Sequence, residues 1–263
     1  MTILDQIIAT KREELQGALA RIPESQMAER AAKAPPTRDF AAAIRGEDIE
    51  VIAEIKKASP SAGVIREDFD PAFIADSYER GGAAALSVLT DTTYFQGSLD
   101  HLREARAACS LPVLRKDFTI APYNLLEARS AGADAVLLIV SVLDDALLRD
   151  LIALAGELDM AALVEVHDPP EADRALAAGA KILGINNRDL RTFTTDIAQT
   201  ERVLAHLPSR EGLTIVSESG IRSGDDLRRL RDAGVHTVLI GEHLMRDPLP
   251  GTALALMLAD SYV

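Results

Sequence analysis

Eight short apolar runs, separated by polar loops and alanine-rich segments, constrain the fold of this chain more than any other feature. Each run has the length of one strand, and the segments between the runs have the length and composition of helices. The runs cover residues 51–55, 84–88, 112–116, 135–139, 162–166, 182–185, 214–217 and 237–240. Strands that alternate with helices predict a parallel sheet, and mostly apolar strands predict a sheet that is covered on both faces.

A weak internal repeat indicates how many strand–helix units the chain contains. Gly82, Gly132, Gly179 and Gly234 precede the second, fourth, sixth and eighth runs, at intervals of 50, 47 and 55 residues. Glycine at that place suits the left-handed residue that ends many helices. Two units per interval predict a (β/α)8 barrel, the TIM barrel of the α/β class. An open doubly wound sheet is the alternative fold, but no G-x-G-x-x-G motif follows a strand.

Residues 1–46 differ from the rest and predict a helical extension without a core of its own. Apolar residues recur at helical spacing among charged ones at positions 3, 4, 7, 8, 15 and 19. Two prolines at 35 and 36 interrupt the pattern, and a short helix over 39–44 follows with Asp39 as its N-cap. We expect the extension to cover the barrel of residues 47–263 and its entrance, burying Ile3, Leu4, Ile7 and Ile8. Deleting it should weaken binding and leave the barrel folded.

The charge balance and the single cysteine narrow the choice of partners. The chain has 28 basic and 41 acidic residues, and the net charge of −13 repels nucleic acid and anionic membranes. Cys109 is the one cysteine, which excludes an intramolecular disulfide and a zinc site built from cysteines. The first residues lack the pattern of a signal peptide. We expect a soluble cytoplasmic protein, either a monomer or a homodimer, that binds neither nucleic acid nor membrane.

Charged residues stand at the predicted carboxyl ends of several strands, which is where (β/α)8 barrels carry their active sites. Glu54 and Lys56 are two residues apart at the end of the first run, so both side chains leave the same face of the strand. Equivalent points of later strands carry Lys116, Glu165, Asn186 and Glu218. Ionisable groups inside a barrel are costly unless they are paired or used. Their recurrence therefore indicates a catalytic site rather than one salt bridge at the rim.

Two glycines predict a phosphate site in the last two loops. Gly220 follows the seventh run and Gly241 follows the eighth. Glycine lets backbone N–H groups approach an anion, and loops seven and eight are the usual phosphate site of this fold. Glu242 is discordant, because a carboxylate repels a phosphate. We expect its backbone N–H to serve while its side chain points away.

Together these segments resemble the indole-3-glycerol-phosphate synthase family. The most specific matches are Glu-x-Lys-x-x-Ser-Pro-Ser at 54–61 and Asn-Asn-Arg-Asp-Leu at 186–190. Further matches lie at 86–91, 114–118, 163–167, 217–221 and 239–242, in order across residues 50–245. The helical extension also looks like that of the family. Many phosphate-binding barrels share only the glycines of loops seven and eight.

The resemblance implies a carboxy-lyase of tryptophan biosynthesis that uses neither a metal nor an organic cofactor. Its phosphorylated substrate, 1-(2-carboxyphenylamino)-1-deoxyribulose 5-phosphate, is closed to indole-3-glycerol phosphate with loss of carbon dioxide and water. By the same resemblance, Lys116 is the general acid on the ketone oxygen. Glu165 stabilises the cationic intermediate and serves as base in the later steps. A lysine works best as a general acid if burial or a cationic neighbour brings its pKa toward neutrality, and Lys56 is the candidate for that neighbour of Lys116.

The resemblance also suggests roles for the remaining residues. Glu54 and Glu218 orient the lysines and the substrate hydroxyls, and Asn186 binds the sugar chain. Phosphate contacts are expected from Lys56, Ser59, Arg188, Ser219, Gly220, Gly241 and Glu242. An apolar wall for the aromatic ring is expected from Phe95, Phe118, Leu137 and Leu190, although each of these is equally compatible with the core. His167 is interpreted as a loop residue rather than a catalytic one.

Two other functions remain open at the level of sequence. One is a sugar-phosphate isomerase on the same barrel, such as phosphoribosylanthranilate isomerase. The other is a non-catalytic barrel that has kept its phosphate site. The set of Glu54, Lys56, Lys116 and Glu165 argues against both. An isomerase commonly works without two lysines on strands one and three, and a binding protein does not need costly charges in its cavity.

Overall fold

In the computed structural model, which describes residues 2–189 and 194–262, eight parallel strands close into a barrel. The strands are β1 (Glu50–Ile55), β2 (Ala85–Leu89), β3 (Val113–Lys116), β4 (Ala135–Ile139), β5 (Ala161–Val166), β6 (Ile182–Asn186), β7 (Thr214–Glu218) and β8 (Thr237–Ile240). Each strand pairs with its neighbours in sequence, and β1 also pairs with β8. The predicted (β/α)8 barrel is confirmed, and the open sheet is excluded.

Helices precede the barrel and alternate with its strands. Before β1 come α1 (Ile3–Arg21), α2 (Glu24–Ala32) and α3 (Phe40–Ala43). After it come α4 (Pro71–Arg80), α5 (Leu99–Ala108), α6 (Pro122–Ser130), α7 (Asp145–Glu157), α8 (Pro169–Ala177), α9 (Ala198–His206), α10 (Gly224–Asp232), α11 (Glu242–Met245) and α12 (Pro250–Asp260). None of the helices in the described part of the chain is both long and apolar enough to cross a membrane.

Local sequence signals fix where the barrel helices begin and end. The side chains of five N-cap residues each accept a hydrogen bond from the N–H three residues further on: Asp70, Ser98, Asp144, Asp168 and Ser223. The four repeat glycines have positive φ angles, between 80° and 92°, and each follows a helix as predicted. Because each of these five caps follows the carboxyl end of a strand, it also fixes a loop at the mouth of the barrel.

The strands place their side chains alternately in two apolar layers. Val51, Ala53 and Ile55 of β1 pack outward into the layer beneath the helices, whereas Ile52 belongs to the cluster inside the barrel. Glu54 lies two residues after Ile52 on the same strand, so its side chain also points into the barrel. The same alternation that builds the core thus delivers a buried carboxylate to the barrel interior.

The first two helices lie outside the barrel, with the start of α1 at its mouth. Ile7 is buried, but Ile3, Leu4 and Ile8 are only half-buried, so the prediction that all four are buried is wrong for three of them. Ile3 and Leu4 retain exposure because they line an open cavity. Met27 and Ala31 of α2 form an apolar cluster with Tyr123 and Leu126 of α6, against which Leu15 and Ala18 of α1 also pack.

The third helix closes the opposite end of the barrel. Phe40 and Ile44 have almost no exposed surface and belong to the same cluster as the interior residues of the strands. Thr237 Oγ1, at the start of β8, donates a hydrogen bond of 2.7 Å to the Ile44 carbonyl. Because Phe40 and Ile44 pack into the interior of the barrel, deleting residues 1–46 should destabilise the barrel, whereas the sequence predicted a barrel that stays folded.

Replacing Phe40 should therefore reveal how much α3 stabilises the barrel. Phe40→Ala leaves a cavity in a closed interior, and we expect the free energy of unfolding to fall by about 3–5 kcal/mol. Phe73→Ala is the matched control, because Phe73 is 43% exposed and its loss should change stability by less than about 1 kcal/mol. Urea denaturation followed by circular dichroism measures both. Equal small effects would contradict the proposed role of α3.

Candidate active site

A cavity of about 450 Å³ opens at the carboxyl ends of the strands. The following predicted site residues line it: Glu54, Lys56, Ser59, Phe95, Lys116, Phe118, Leu137, Glu165, Asn186, Arg188, Glu218, Ser219, Gly220, Gly241 and Glu242. Leu190, which was also predicted, lies outside the described residues. The structure thus brings into one cavity residues that the sequence distributes over eight strands and the loops that follow them.

Lys116, the last residue of β3, lies at the centre of a buried ionic cluster. Its Nζ atom is 2.9 Å from Glu165 Oε2 on β5 and 2.6 Å from Glu218 Oε2 on β7. Little of any of the three side chains is exposed. Ion pairs that are shielded from water interact more strongly than exposed ones, so this arrangement fixes all three side chains.

The protonation of Lys116 differs from our expectation. Burial favours the neutral amine, but the charges of Glu165, Glu218 and Glu54 outweigh burial and raise the pKa of Lys116. The prediction that Lys56 would bring this pKa toward neutrality is therefore wrong. Lys56 has a partner of its own, since its Nζ donates to Glu54 Oε2 at 2.5 Å. Lys116 is consequently a charged ammonium at neutral pH.

The two carboxylates that share Lys116 have different surroundings. Burial opposes the ionisation of Glu165, but the charges of Lys116 and His167 and a hydrogen bond of 3.1 Å from Asn186 Nδ2 lower its pKa. Burial raises the pKa of Glu218, and the charge of Glu165 adds to this against the opposing effect of Lys116. Two carboxyl groups whose pKa values move apart can perform different tasks in one reaction. Glu165 is the one that stays ionised.

Arg188 connects the loop after β6 to the loops after β1 and β8. Its Nη1 donates to Ser61 Oγ at 2.9 Å, and its Nη2 lies 3.5 Å from Glu242 Oε2. Glu242 also accepts a hydrogen bond of 2.8 Å from Arg246 Nη2. The carboxylate of Glu242 is thus neutralised by two arginines, which reduces its repulsion toward an anion. Ser61 ends the Glu-x-Lys-x-x-Ser-Pro-Ser motif, and the motif alone indicated no role for it.

Steric constraints require glycine at both of the predicted phosphate loops. Gly220 has a φ of +84°, and a Cβ there would lie 2.5 Å from Thr195 Cγ2. A Cβ on Gly241 would lie 2.2 Å from Glu54 Oε2, so the backbone of the last loop passes directly against a site carboxylate. Ser219 also has a positive φ, of 69°, which residues other than glycine seldom adopt. Such backbone strain is often retained where a turn serves a ligand.

Asn187 holds the strained turn after β7 in place. Its Nδ2 donates to Ser217 Oγ at 2.9 Å and to the Ser219 carbonyl at 3.0 Å. Its Oδ1 accepts hydrogen bonds from the N–H and the hydroxyl of Thr200. Asn187 belongs to the Asn-Asn-Arg-Asp-Leu motif, and the motif alone indicated no role for it. Asn187 is buried next to Asn186 because β6 ends at Asn186. The periodicity of apolar residues in the sequence does not show at which residue the strand ends.

An apolar wall occupies the side of the cavity formed by loops two and three. The rings of Phe95 and Phe118 have centroids 6.2 Å apart and are inclined by 41°. Leu137 from β4 also lines the cavity, together with Ile3, Leu4 and Ile7 from α1. The N-terminal helix therefore contributes to the wall that faces any aromatic ligand.

Lys11 of α1 clamps the two loops that carry these phenylalanines. Its buried Nζ lies 2.7 Å from Asp91 Oδ2 and 3.0 Å from Asp117 Oδ1. Asp91 Oδ1 in turn accepts the N–H of Phe95 at 3.1 Å, and Asp117 Oδ1 accepts the N–H of Phe118 at 2.8 Å. Sequence reasoning missed this clamp, because the helical pattern places Lys11 on a charged face like any solvated lysine.

Removing the ammonium of Lys11 should loosen both loops. Lys11→Met leaves the buried Asp91 and Asp117 with less compensation, so we expect the free energy of unfolding to fall by about 3–5 kcal/mol. Affinity for ligands with an aromatic ring should also fall, whereas affinity for inorganic phosphate should not. Arg12→Met, at the exposed neighbouring position, is the control. Urea denaturation and calorimetric titration measure these changes, and a Lys11→Met protein as stable as the control would contradict the clamp.

The closed barrel and the charged cavity at the carboxyl ends of its strands define a (β/α)8-barrel enzyme. The family model of indole-3-glycerol phosphate synthase matches residues 4–254. Synthases of that name from Albidiferax ferrireducens and Acidithiobacillus ferrooxidans are 52% and 53% identical to this chain over 98% of its length, and over 98% and 99% of theirs. The synthase of Roseiflexus castenholzii is 52% identical over 94% of each chain. The chain belongs to the indole-3-glycerol phosphate synthase family, as the sequence resemblance predicted.

Solved structures of more distant proteins support the fold alone. An N-acetylmannosamine-6-phosphate 2-epimerase from Clostridium perfringens superposes with a TM-score of 0.60 at 13% identity, covering 80% of this chain and 92% of its own. A 3-hexulose-6-phosphate synthase superposes with a TM-score of 0.63 at 15% identity, covering 81% of this chain and 99% of its own.

Proposed function

We propose that this chain closes 1-(2-carboxyphenylamino)-1-deoxyribulose 5-phosphate to indole-3-glycerol phosphate, with loss of carbon dioxide and water. The observation that carries the proposal is the buried cluster of Lys116, Glu165 and Glu218, which puts an acid and two carboxylates in one cavity. Membership of the family supports it further. The biosynthetic role of the family and the free thiol of Cys109 favour the cytoplasm as the place of this activity.

Ring closure needs a proton donor for the ketone oxygen. The aromatic carbon that bears the carboxylate attacks the ketone carbon, and the carbonyl oxygen develops the charge of an alkoxide. Lys116 is charged at neutral pH and lines the cavity, so it can donate its proton to that oxygen. An alkoxide is a stronger base than an amine. The transfer therefore becomes favourable as the new bond forms, even though the carboxylates raise the pKa of Lys116.

The product of ring closure carries a positive charge on its nitrogen. A nearby carboxylate stabilises such an iminium, and in a cavity shielded from water it does so more strongly than in solution. Glu165 remains ionised and is available for this task once Lys116 has given up its proton. Loss of carbon dioxide then neutralises the iminium, and Glu165 is the proposed base for the dehydration that follows. Lys56, paired with Glu54, supplies a second ammonium to the cavity.

The phosphate and the aromatic ring would occupy different walls of the cavity. Backbone N–H groups around Gly220 and Gly241 would hold the phosphate, as loops seven and eight commonly do in this fold. Contacts from the neighbouring loops would come from Lys56, Ser59, Arg188, Ser219 and the backbone of Glu242. Phe95, Phe118 and Leu137 would enclose the aromatic ring, and Asn186 and the carboxylates would bind the sugar chain.

Turnover separates this function from the two alternatives. The synthase should produce indole fluorescence and release one equivalent of carbon dioxide from each substrate molecule. A phosphoribosylanthranilate isomerase would consume its own substrate without releasing carbon dioxide, and a binding protein would do neither. Absence of both the fluorescence and the carbon dioxide would overturn the proposal.

The role of Lys116 is tested by removing its ammonium group. Lys116→Met deletes the proposed proton donor, so we expect kcat to fall by about 10²-fold or more with a smaller change in substrate affinity. Lys181→Met, at an exposed position before β6, is the control and should leave kcat unchanged. Steady-state kinetics with indole fluorescence measure both variants. Turnover of Lys116→Met close to that of the control would show that another group donates the proton.

The contribution of Arg188 to phosphate binding is tested by a pair of substrates. Arg188→Ala removes a cation from the proposed phosphate side, so KM for the phosphorylated substrate should rise much more than kcat falls. The dephosphorylated substrate lacks the group that Arg188 holds, and it should bind equally poorly to both proteins. If the variant weakens both substrates by one factor, Arg188 is structural and acts through Ser61 and Glu242.

A further inference from the structure

The ring of His167 lies between two carboxylates beside the cavity. His167 follows β5, and its Nδ1 is 3.2 Å from Glu171 Oε2, while its Nε2 is 3.6 Å from Glu165 Oε1. The same oxygen of Glu171 accepts the backbone N–H of His167 at 2.7 Å. The His167 carbonyl accepts a hydrogen bond from Gln199 Nε2 of α9. These contacts hold the loop on both sides and fix the direction of the ring.

This arrangement restricts the protonation of the ring. An ionised carboxylate only accepts hydrogen bonds, so the contact with Glu171 requires a hydrogen on Nδ1. A neutral imidazole carries one hydrogen, which would leave the lone pair of Nε2 directed at Glu165 Oε1, a second acceptor. Nε2 is buried and has no hydrogen-bond partner among the described residues. Only an imidazolium, with hydrogens on both nitrogens, suits both carboxylates.

We propose that His167 is a positively charged positioning residue that holds Glu165 as a carboxylate while the ring closes and the iminium is present. The proposal rests on the proposed function, because the role given to Glu165 belongs to that function. Glu165 has a cation on each side, with Lys116 at Oε2 and His167 at Oε1. When Lys116 gives its proton to the ketone oxygen, it becomes neutral, and His167 is then the remaining cation in contact with Glu165. Glu165 is thereby kept from taking a proton when the iminium needs its charge.

The charges around the ring favour the imidazolium. Burial favours the neutral form, but the hydrogen bond to Glu171 and the charges of Glu165, Glu171 and Glu218 outweigh it and raise the pKa of His167. Other charged groups line the polar cavity next to the ring, and they are Asp168, Asp189, Asp196 and Arg202. The one cation among these four, Arg202, is itself paired with Asp196 at 3.0 Å. The surroundings of His167 are therefore predominantly negative.

The sign of the pH dependence follows from this direction. A group with a raised pKa contributes its interaction fully below its ordinary pKa, about 6.5 for histidine, and loses it as the pH rises through the higher value of the folded protein. We therefore expect the contribution of His167 to kcat to be complete below about pH 6.5 and to be lost as the pH rises through the raised pKa of the folded protein.

The protonation state itself can be measured without substrate. Nuclear magnetic resonance of ring-15N-labelled histidine should show hydrogens on both nitrogens of His167 at neutral pH, with the signals assigned by their loss in His167→Gln. Glu171→Gln keeps the ring and removes one facing charge, so the pKa of His167 should fall in that variant. An Nε2 atom without a hydrogen in the unaltered protein at neutral pH would overturn the proposal. Because this readout needs no turnover, it stands even if the proposed function fails.

Kinetics then test the role of the charge. His167→Gln offers Glu165 a neutral amide, and we expect kcat to fall by about tenfold with little change in KM. The decrease of kcat at alkaline pH that results from deprotonation of His167 should also be absent from this variant. His206→Gln, at an exposed histidine of α9, is the control and should keep the profile of the unaltered protein. A kcat and pH profile of His167→Gln that match those of the control would overturn the proposal. If His167→Gln does not fold, Glu171→Gln provides the same comparison, with the alkaline limb expected at lower pH.

Discussion

The pairing of β1 with β8 closes the sheet, and the function proposed for this chain depends on that closure. The two strands pair in parallel, from Glu50 opposite Thr237 to Ala53 opposite Ile240. Once the barrel is closed, all eight carboxyl ends lie at one rim. Inward-facing residues at that rim share one cavity whatever their separation in sequence. Lys116 therefore meets Glu165 and Glu218, although 49 and 102 residues separate them along the chain.

Three cations at this rim, Lys56, Lys116 and Arg188, each meet at least one carboxylate. Lys56 pairs with Glu54, Lys116 with Glu165 and Glu218, and an arginine bridges loops one and eight. Burying an isolated charge would be costly, but mutually compensated charges can be held in a cavity with little water. The same shielding strengthens their action on a substrate. The same network of ion pairs therefore contributes both to substrate binding and to catalysis. A change of charge at one of its residues alters the pKa values of the neighbouring residues.

The N-terminal extension affects both ends of the barrel, although it contributes no strand. At the amino end, Phe40 and Ile44 complete the interior core. At the carboxyl end, α1 adds apolar side chains to the wall of the cavity, and Lys11 ties Asp91 and Asp117 together. The extension therefore couples the stability of the barrel to the shape of the site. It is better regarded as part of the enzyme than as a cover that can be removed.

The sequence alone determined the barrel and the residues around its cavity, because strand periodicity, helix-ending glycines and charges at strand ends are local signals. Two residues of separation suffice to show that Glu54 and Lys56 leave the same face of a strand. Tertiary structure alone decided the protonation of Lys116, the clamp formed by Lys11 and the position of His167 between two carboxylates. A pKa depends on every charge within a few ångströms, and three carboxylates from different strands outweigh the effect of burial and raise the pKa of Lys116. Distances between elements that are far apart in the chain are set by packing, and no local pattern contains them.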